Sequence, residues 1–370
     1  MPPADVVDRE EECRRLVRLA AGGHYASLYA PRRYGKTSLL RKALAEAEQE
    51  HGMVTVLVDL YGVLSLADIT IRFERAYARL QGPVRRTVEA ILRTTGLGLS
   101  LGAHGIGVTF QVEPRTNPLP AIHTLLDLPL RVAEKRQARV FVALDEFQDV
   151  LRVEDFDGLL RSHIQHQGEV ASYVFSGSEP GLMRELFETK TRPLYGQAEP
   201  IRLGPLADAD IAAYVEKRFR ATKRSTGDVL GALLGFARGH PQRSMLLAYR
   251  LWEETPRGAT ADDETWIRAL ARTRAQTSAE FEARWKGLDP NEQRALRAIA
   301  LFPRVPYGAA ALAAVGLKKS SANYATGTLL ARAELDERDG RVGFVDPLLE
   351  APVRDTQSGE ISYDMPEDEP

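Results

Sequence analysis

Ala30-Pro31-Arg32-Arg33-Tyr34-Gly35-Lys36-Thr37 decides the reading of this 370-residue chain. The stretch follows the phosphate-loop pattern G-x-x-x-x-G-K-[ST], with Ala30 at the first glycine. Residues 24–30 (HYASLYA) before it form a short apolar run that predicts a buried strand, and residues 36–52 after it carry a helical pattern. Strand, tight loop and helix is the context in which the pattern has a physical meaning. A tight loop turns backbone N–H groups inward around a phosphate, and the following helix adds its N-terminal N–H groups and dipole. Gly35 lets the main chain approach without a Cβ, Lys36 reaches the β- and γ-phosphates, and the Thr37 hydroxyl is a ligand for Mg²⁺. Pro31, Arg32, Arg33, Tyr34 and Ser38 complete the expected cradle for ATP or ADP.

Working outward, the first two hundred residues alternate short apolar runs with helical patterns. Strands are expected at 53–61, 139–145, 171–176 and 200–204, and helices at 67–80, 119–136 and 155–167. Continuous apolar strands separated by helices predict an α/β fold, a parallel sheet covered on both faces. The third strand ends in Leu144-Asp145-Glu146. That places Asp145 at the carboxyl edge of the sheet, where ligands bind. There Asp145 would hold Mg²⁺ through its water shell, and Glu146 would orient and deprotonate an attacking water. Residues 96–112 alternate apolar with small or polar positions and read as an inserted hairpin.

From residue 206 the pattern turns helical, at 209–222, 226–237, 241–254 and 263–285. Asp289-Pro290 marks a boundary and a helix start. Helices at 291–301, 308–315 and 320–333 then lead to a hairpin, 334–338 and 341–345, turning at Asp339-Gly340. The expected domains are therefore a phosphate-loop α/β core at 1–205, a helical domain at 206–286, a module at 287–355 that looks like a winged helix and a disordered acidic tail at 356–370.

Composition narrows the class. Lys+Arg 49 against Asp+Glu 51 gives a net charge of -2, which argues against a histone-like protein that grips nucleic acid by bulk charge. A hydrophobic share of 44% excludes a largely disordered chain. One cysteine, Cys13, rules out a disulfide framework, and it reads as a half-buried helix residue. His163 and His166 share a helix face, but the sequence offers no third metal ligand. No apolar run approaches the roughly 20 residues of a membrane span, and the acidic start is unlike a secretory leader, so a cytoplasmic protein with no membrane partner is expected.

Several motifs together resemble the archaeal-type ATPases of the STAND/AAA+ branch of P-loop proteins, relatives of the Orc/Cdc6 initiators. Val6-Val7-Asp8-Arg9-Glu10-Glu11-Glu12 is similar to the family's N-terminal h-h-G-R-E-x-E, with Asp8 in place of glycine. Residues 30–40 (APRRYGKTSLL) resemble its phosphate loop, Asp145-Glu146-Phe147-Gln148 its D-E-F-Q, and residues 175–178 (FSGS) the end of its fourth strand. Arg192-Pro193-Leu194-Tyr195-Gly196 resembles its P-L-Y-G element and Gly239-His240-Pro241 its G-x-P lid motif.

The resemblance implies strand order 5-1-4-3-2, ATP hydrolysis to ADP and phosphate, and a role for several residues. Ser176 or Ser178 would contact the γ-phosphate or the lytic water, Pro241 would pack near the adenine, and Arg243 would reach the phosphates. Arg9 would lie by the base. Gln197 stands where the family usually has arginine, which leaves Arg192 or Arg202 as the finger that a homo-oligomer would offer its neighbour. In the winged helix, Lys318, Lys319 and Asn323 would face double-stranded DNA, with Arg338 and Arg341 at the wing. Two outputs are expected to compete. One is an initiator-like grip on DNA under ATP control. The other is a signalling or defence switch in which the winged helix packs internally and a separate effector protein responds.

Overall fold

The computed structural model describes residues 7–95, 117–338 and 340–355. The expected hairpin at 96–112, the turn residue Asp339 and the expected tail at 356–370 lie outside the described residues. The chain divides into two compact units, Met1–Ala30 with Lys36–Leu203, and Pro31–Gly35 with Gly204–Pro370.

The first unit runs α1 (Glu10–Ala21), β1 (Ala26–Tyr29), α2 (Lys36–His51), β2 (Val54–Asp59), α3 (Leu66–Ala78), α4 (Gly82–Thr94) and α5 (Leu119–Arg136). It continues with β3 (Val140–Asp145), a 3-10 helix (Phe147–Arg152), α6 (Phe156–Ile164), β4 (Ala171–Gly177), α7 (Pro180–Glu188) and β5 (Glu199–Arg202). The five strands form one sheet in the order β5-β1-β4-β3-β2, and every pairing is parallel. This is the order that the family resemblance implies. Every residue of β3 and β4 is buried, because helices cover both faces of the central strands. The core joins Val56 and Val58 of β2, Val142 and Leu144 of β3 and Phe175 of β4 to Phe73 of α3, Leu125 of α5 and Leu186 of α7.

Register places the functional edge. Tyr29, the last residue of β1, pairs with Gly177, and Leu144 pairs with Phe175. The start of the phosphate loop, the end of β3 and the end of β4 therefore lie along the same carboxyl edge.

The second unit is helical: α8 (Asp208–Ala221), α9 (Val229–Ala237), α10 (Pro241–Glu254), α11 (Asp263–Lys286), α12 (Pro290–Leu301), α13 (Ala309–Ala314) and α14 (Lys319–Ala331). A two-stranded antiparallel hairpin, β6 (Leu335–Arg338) and β7 (Arg341–Phe344), precedes α15 (Pro347–Asp355). Local chemistry sets the helix starts. Asp289 accepts from the N–H groups of Asn291 and Glu292 while Glu292 accepts from the N–H of Asp289, a reciprocal cap that begins α12. Asp262 and Thr265 do the same for α11. The apolar faces meet around Phe281, Trp285, Leu296, Ile299, Leu329, Leu348 and Val353.

Candidate functional site

The phosphate loop leaves β1 and enters α2 at Lys36. Gly35 has φ +85, a conformation L side chains rarely adopt, and a Cβ built on it would meet nothing within 4 Å. Beside that backbone lies open space of the kind a phosphate needs. Lys36 is 4% exposed, and its ammonium donates to the carbonyl of Ala30 at 2.9 Å. Lys36 thus ties its head group back across the loop that precedes it.

Thr37 and Asp145 meet directly. The hydroxyl donates to Asp145 Oδ2 at 2.6 Å, although the two residues lie far apart in sequence. Burial raises the Asp145 pKa, and the charge of Glu146 acts in the same direction. The hydroxyls of Thr37 and Ser176 and the charge of Lys36 oppose the rise. A buried carboxylate beside a hydroxyl, with its charge made costly by burial, suits a hard divalent cation. These donors fit Mg²⁺.

Glu146 follows with φ 51, in the left-handed region, where a non-glycine residue costs roughly 1–2 kcal/mol. Its carboxylate is nevertheless held. Ser178 Oγ donates to Oε2 at 2.6 Å and Gln148 Nε2 donates to the same oxygen at 2.7 Å. Ser178 and Gln148 are each 1% exposed. The structure therefore brings together Lys36, Thr37, Asp145, Glu146, Ser176 and Ser178, all named from sequence. It adds Gln148, which had been quoted only as the last letter of D-E-F-Q. Asp149, also buried, accepts from the N–H of Gly62 at 2.6 Å and fastens the loop after β2.

Other expected residues have different surroundings. Arg9 is buried at the start of α1, with Nη1 bonded to Glu12 at 2.9 Å. Arg192 pairs with Glu185, and with Asp157 at 3.7 Å. The Gln197 side-chain amide donates to the carbonyl of Tyr195 at 3.5 Å. His163 is engaged by Asp127 at 2.6 Å and His123 at 2.8 Å. Cys13 is fully buried, and burial together with Glu46 pushes its thiol pKa far up.

Within the second unit, Pro241 is the first residue of α10, capped by His240. Arg243, 1% exposed, turns its guanidinium onto Asp346, with bonds of 2.6, 3.0 and 3.1 Å. Asp346 also receives Arg284 at 3.1 Å. Burial alone would raise the Asp346 pKa, but the hydrogen bond and charge of Arg243 and the charge of Arg284 outweigh it and lower the pKa. Arg33 pairs with Glu280 at 2.5 Å. Arg338 bonds to Asp336 at 3.0 Å and to the Tyr34 hydroxyl at 3.2 Å. Lys318, Lys319, Asn323 and Arg341 are exposed.

No protein-family model matches the sequence, nor does any curated protein sequence. Solved structures do match the fold. The Walker-type ATPase paby2304 of Pyrococcus abyssi superposes with TM-score 0.70 at 19% identity, covering 95% of this chain and 97% of its own. The ORC2 protein of Aeropyrum pernix superposes with TM-score 0.58 at 18% identity in its ADPNP-ADP complexes, covering 95% of this chain and 93% of its own. The ADP form of that protein gives 0.51 at 17% identity. The chain thus shares its fold with the P. abyssi Walker-type ATPase and the A. pernix ORC2 protein. Among the described residues, no helix is long and apolar enough to cross a membrane.

Proposed function

We propose that this chain is a Mg²⁺-dependent ATPase that uses its nucleotide state as a switch. The observation that carries the reading is the bond between Thr37 and Asp145. It joins the end of the phosphate loop to the end of β3, with Lys36 on one side and Glu146 on the other. The A. pernix protein in nucleotide complexes has the same fold, which supports the reading.

Each residue then has a task. Loop 31–35 and the first turn of α2 present N–H groups to the phosphates, and Lys36 adds a positive charge. Thr37 and Asp145 would hold Mg²⁺, which supplies charge neutralisation of the phosphates when bound. Glu146 orients a water and takes its proton, and Ser176 and Ser178 line the same edge. ADP and phosphate are the products.

The test uses two substitutions. Lys36→Ala should abolish tight ATP binding in calorimetry. Glu146→Gln should keep binding and lose turnover by about 10²–10⁴-fold, the usual worth of a general base. Equal ATP affinity in wild type and Lys36→Ala refutes the nucleotide reading, and normal turnover by Glu146→Gln removes Glu146 as the base.

A second element of the reading is duplex DNA as partner. Helix α14 carries no acidic residue, and Lys318, Lys319 and Asn323 are exposed at its start. Helices α12 to α14 with the β6–β7 hairpin act as a winged helix in this reading. Without DNA contact, the same module answers to a protein effector.

A further inference from the structure

Gln148 is a neutral amide, 1% exposed, beside the carboxylate of Glu146, and its neighbours fix its orientation. The N–H of Ser178 points at it from 3.2 Å, and an N–H can only donate, so the group facing it is the carbonyl Oε1. The amide nitrogen then necessarily faces Glu146, whose Oε2 it meets at 2.7 Å, with Ser178 Oγ at 3.4 Å. Gly177 lies against this amide. A Cβ on Gly177 would lie 2.8 Å from Gln148 Oε1 and would also collide with Met183. Two donors thus converge on Oε2 of Glu146, while Oε1 has no hydrogen bond from the described residues.

We propose that Gln148 is a positioning residue for Glu146. By holding Oε2 it leaves Oε1 as the oxygen that receives the proton of the attacking water. This inference rests on the ATPase reading and names the device that aims its base. In the step it serves, the water oxygen bonds to the γ-phosphorus as its proton passes to Oε1. The bond from that phosphorus to the β–γ bridging oxygen breaks, and its electron pair leaves with ADP.

The experiment measures ATP affinity and single-turnover hydrolysis in wild type, Gln148→Leu, Gln148→Glu, and Gln148→Leu combined with Glu146→Gln. Leucine removes the donor at similar size. Glutamate keeps an acceptor for the Ser178 N–H but turns an oxygen toward Glu146. Both single variants should bind ATP as wild type does and lose about 10²-fold in rate, the scale of a misplaced catalytic group. In the Glu146→Gln background, Gln148→Leu should cost nothing further, because the two act as one unit. If Gln148→Leu does not fold, Gln148→Glu and its combination with Glu146→Gln carry the test. Wild-type rates in the folded Gln148 variants overturn the proposal while leaving the ATPase reading intact, as does an equal loss in both backgrounds. A wild type that binds ATP and never hydrolyses it removes hydrolysis from the proposed function, and the role of Gln148 with it.

Discussion

His240 sets how the second unit responds to acid. It is 3% exposed, and burial lowers its pKa from 6.5 to about 4, with Arg243 and Arg33 pushing the same way and Asp346 opposing. Its Nδ1 accepts from the N–H of Arg243 at 3.3 Å, a bond that needs the neutral ring. Between pH 6.5 and about 4 the unfolded chain therefore holds the extra proton, so stability should fall as pH drops through that window. The full loss is about 3 kcal/mol. Trp252, Trp266 and Trp285 are the three tryptophans of the chain, and all lie in the second unit, so their fluorescence during urea unfolding reads this unit alone. His240→Asn keeps a capping acceptor and should flatten the dependence; an unchanged pH profile in that variant would assign the effect elsewhere. The sequence made Lys36, Thr37, Asp145 and Glu146 legible because the chemistry admits few residue types at those places. Asp8 became intelligible only in the structure: its φ of 57 lies in the left-handed region that favours glycine, the residue at this place in the motif it resembles. Gln148 and Asp346 were not legible. The amide of Gln148 is oriented by Ser178, 30 residues away, and Asp346 meets Arg243, 103 residues away, distances that no local pattern spans.

Among elements, the segment before α15 matters more than its length suggests. Asp346 joins Arg243 of α10 to Arg284 of α11, and Arg284 also pairs with Glu334 ahead of β6. Removing one member of a buried ion network leaves charges without a counterpart, at about 3–5 kcal/mol. Asp346→Asn should therefore lower the urea midpoint of the tryptophan signal and leave ATP binding by the first unit's residues measurable. A midpoint within error of wild type would show that the network contributes little. The buried strands were read correctly because continuous apolar runs flanked by turns leave few alternatives. Helices α5 and α10 kept their expected ends. Helices α1, α4, α7 and α15 and the 3-10 helix after β3 had no expected range. Helix α15 contains Pro352, which interrupts the pattern by which a helix is read.

At the scale of the whole molecule, the near-neutral net charge makes DNA binding a local question. If the start of α14 grips duplex DNA, each lysine contributes close to one unit to the salt slope. Replacing Lys318 and Lys319 by alanine should flatten that slope by about two, equally for all sequences, in fluorescence titrations at several salt concentrations. Asn323→Ala should instead relax preference at one base position, at about 1–3 kcal/mol. Absence of binding with ATP, with ADP and without nucleotide, even at low salt, would leave the protein-effector output. The sheet itself has a consequence in time. Strand β1 is flanked by β4 and β5, with Ala26 beside Val174 on one side and Glu199 on the other. During synthesis it must wait for both, since neither edge has a nearer partner, and such non-local pairing is slow. The phosphate loop follows this strand directly, so the anchor at its start is set only once β4 and β5 have joined the sheet. Until β4 and β5 have been made, the apolar residues of β1 have neither of their sheet partners, and such exposed strand edges favour aggregation.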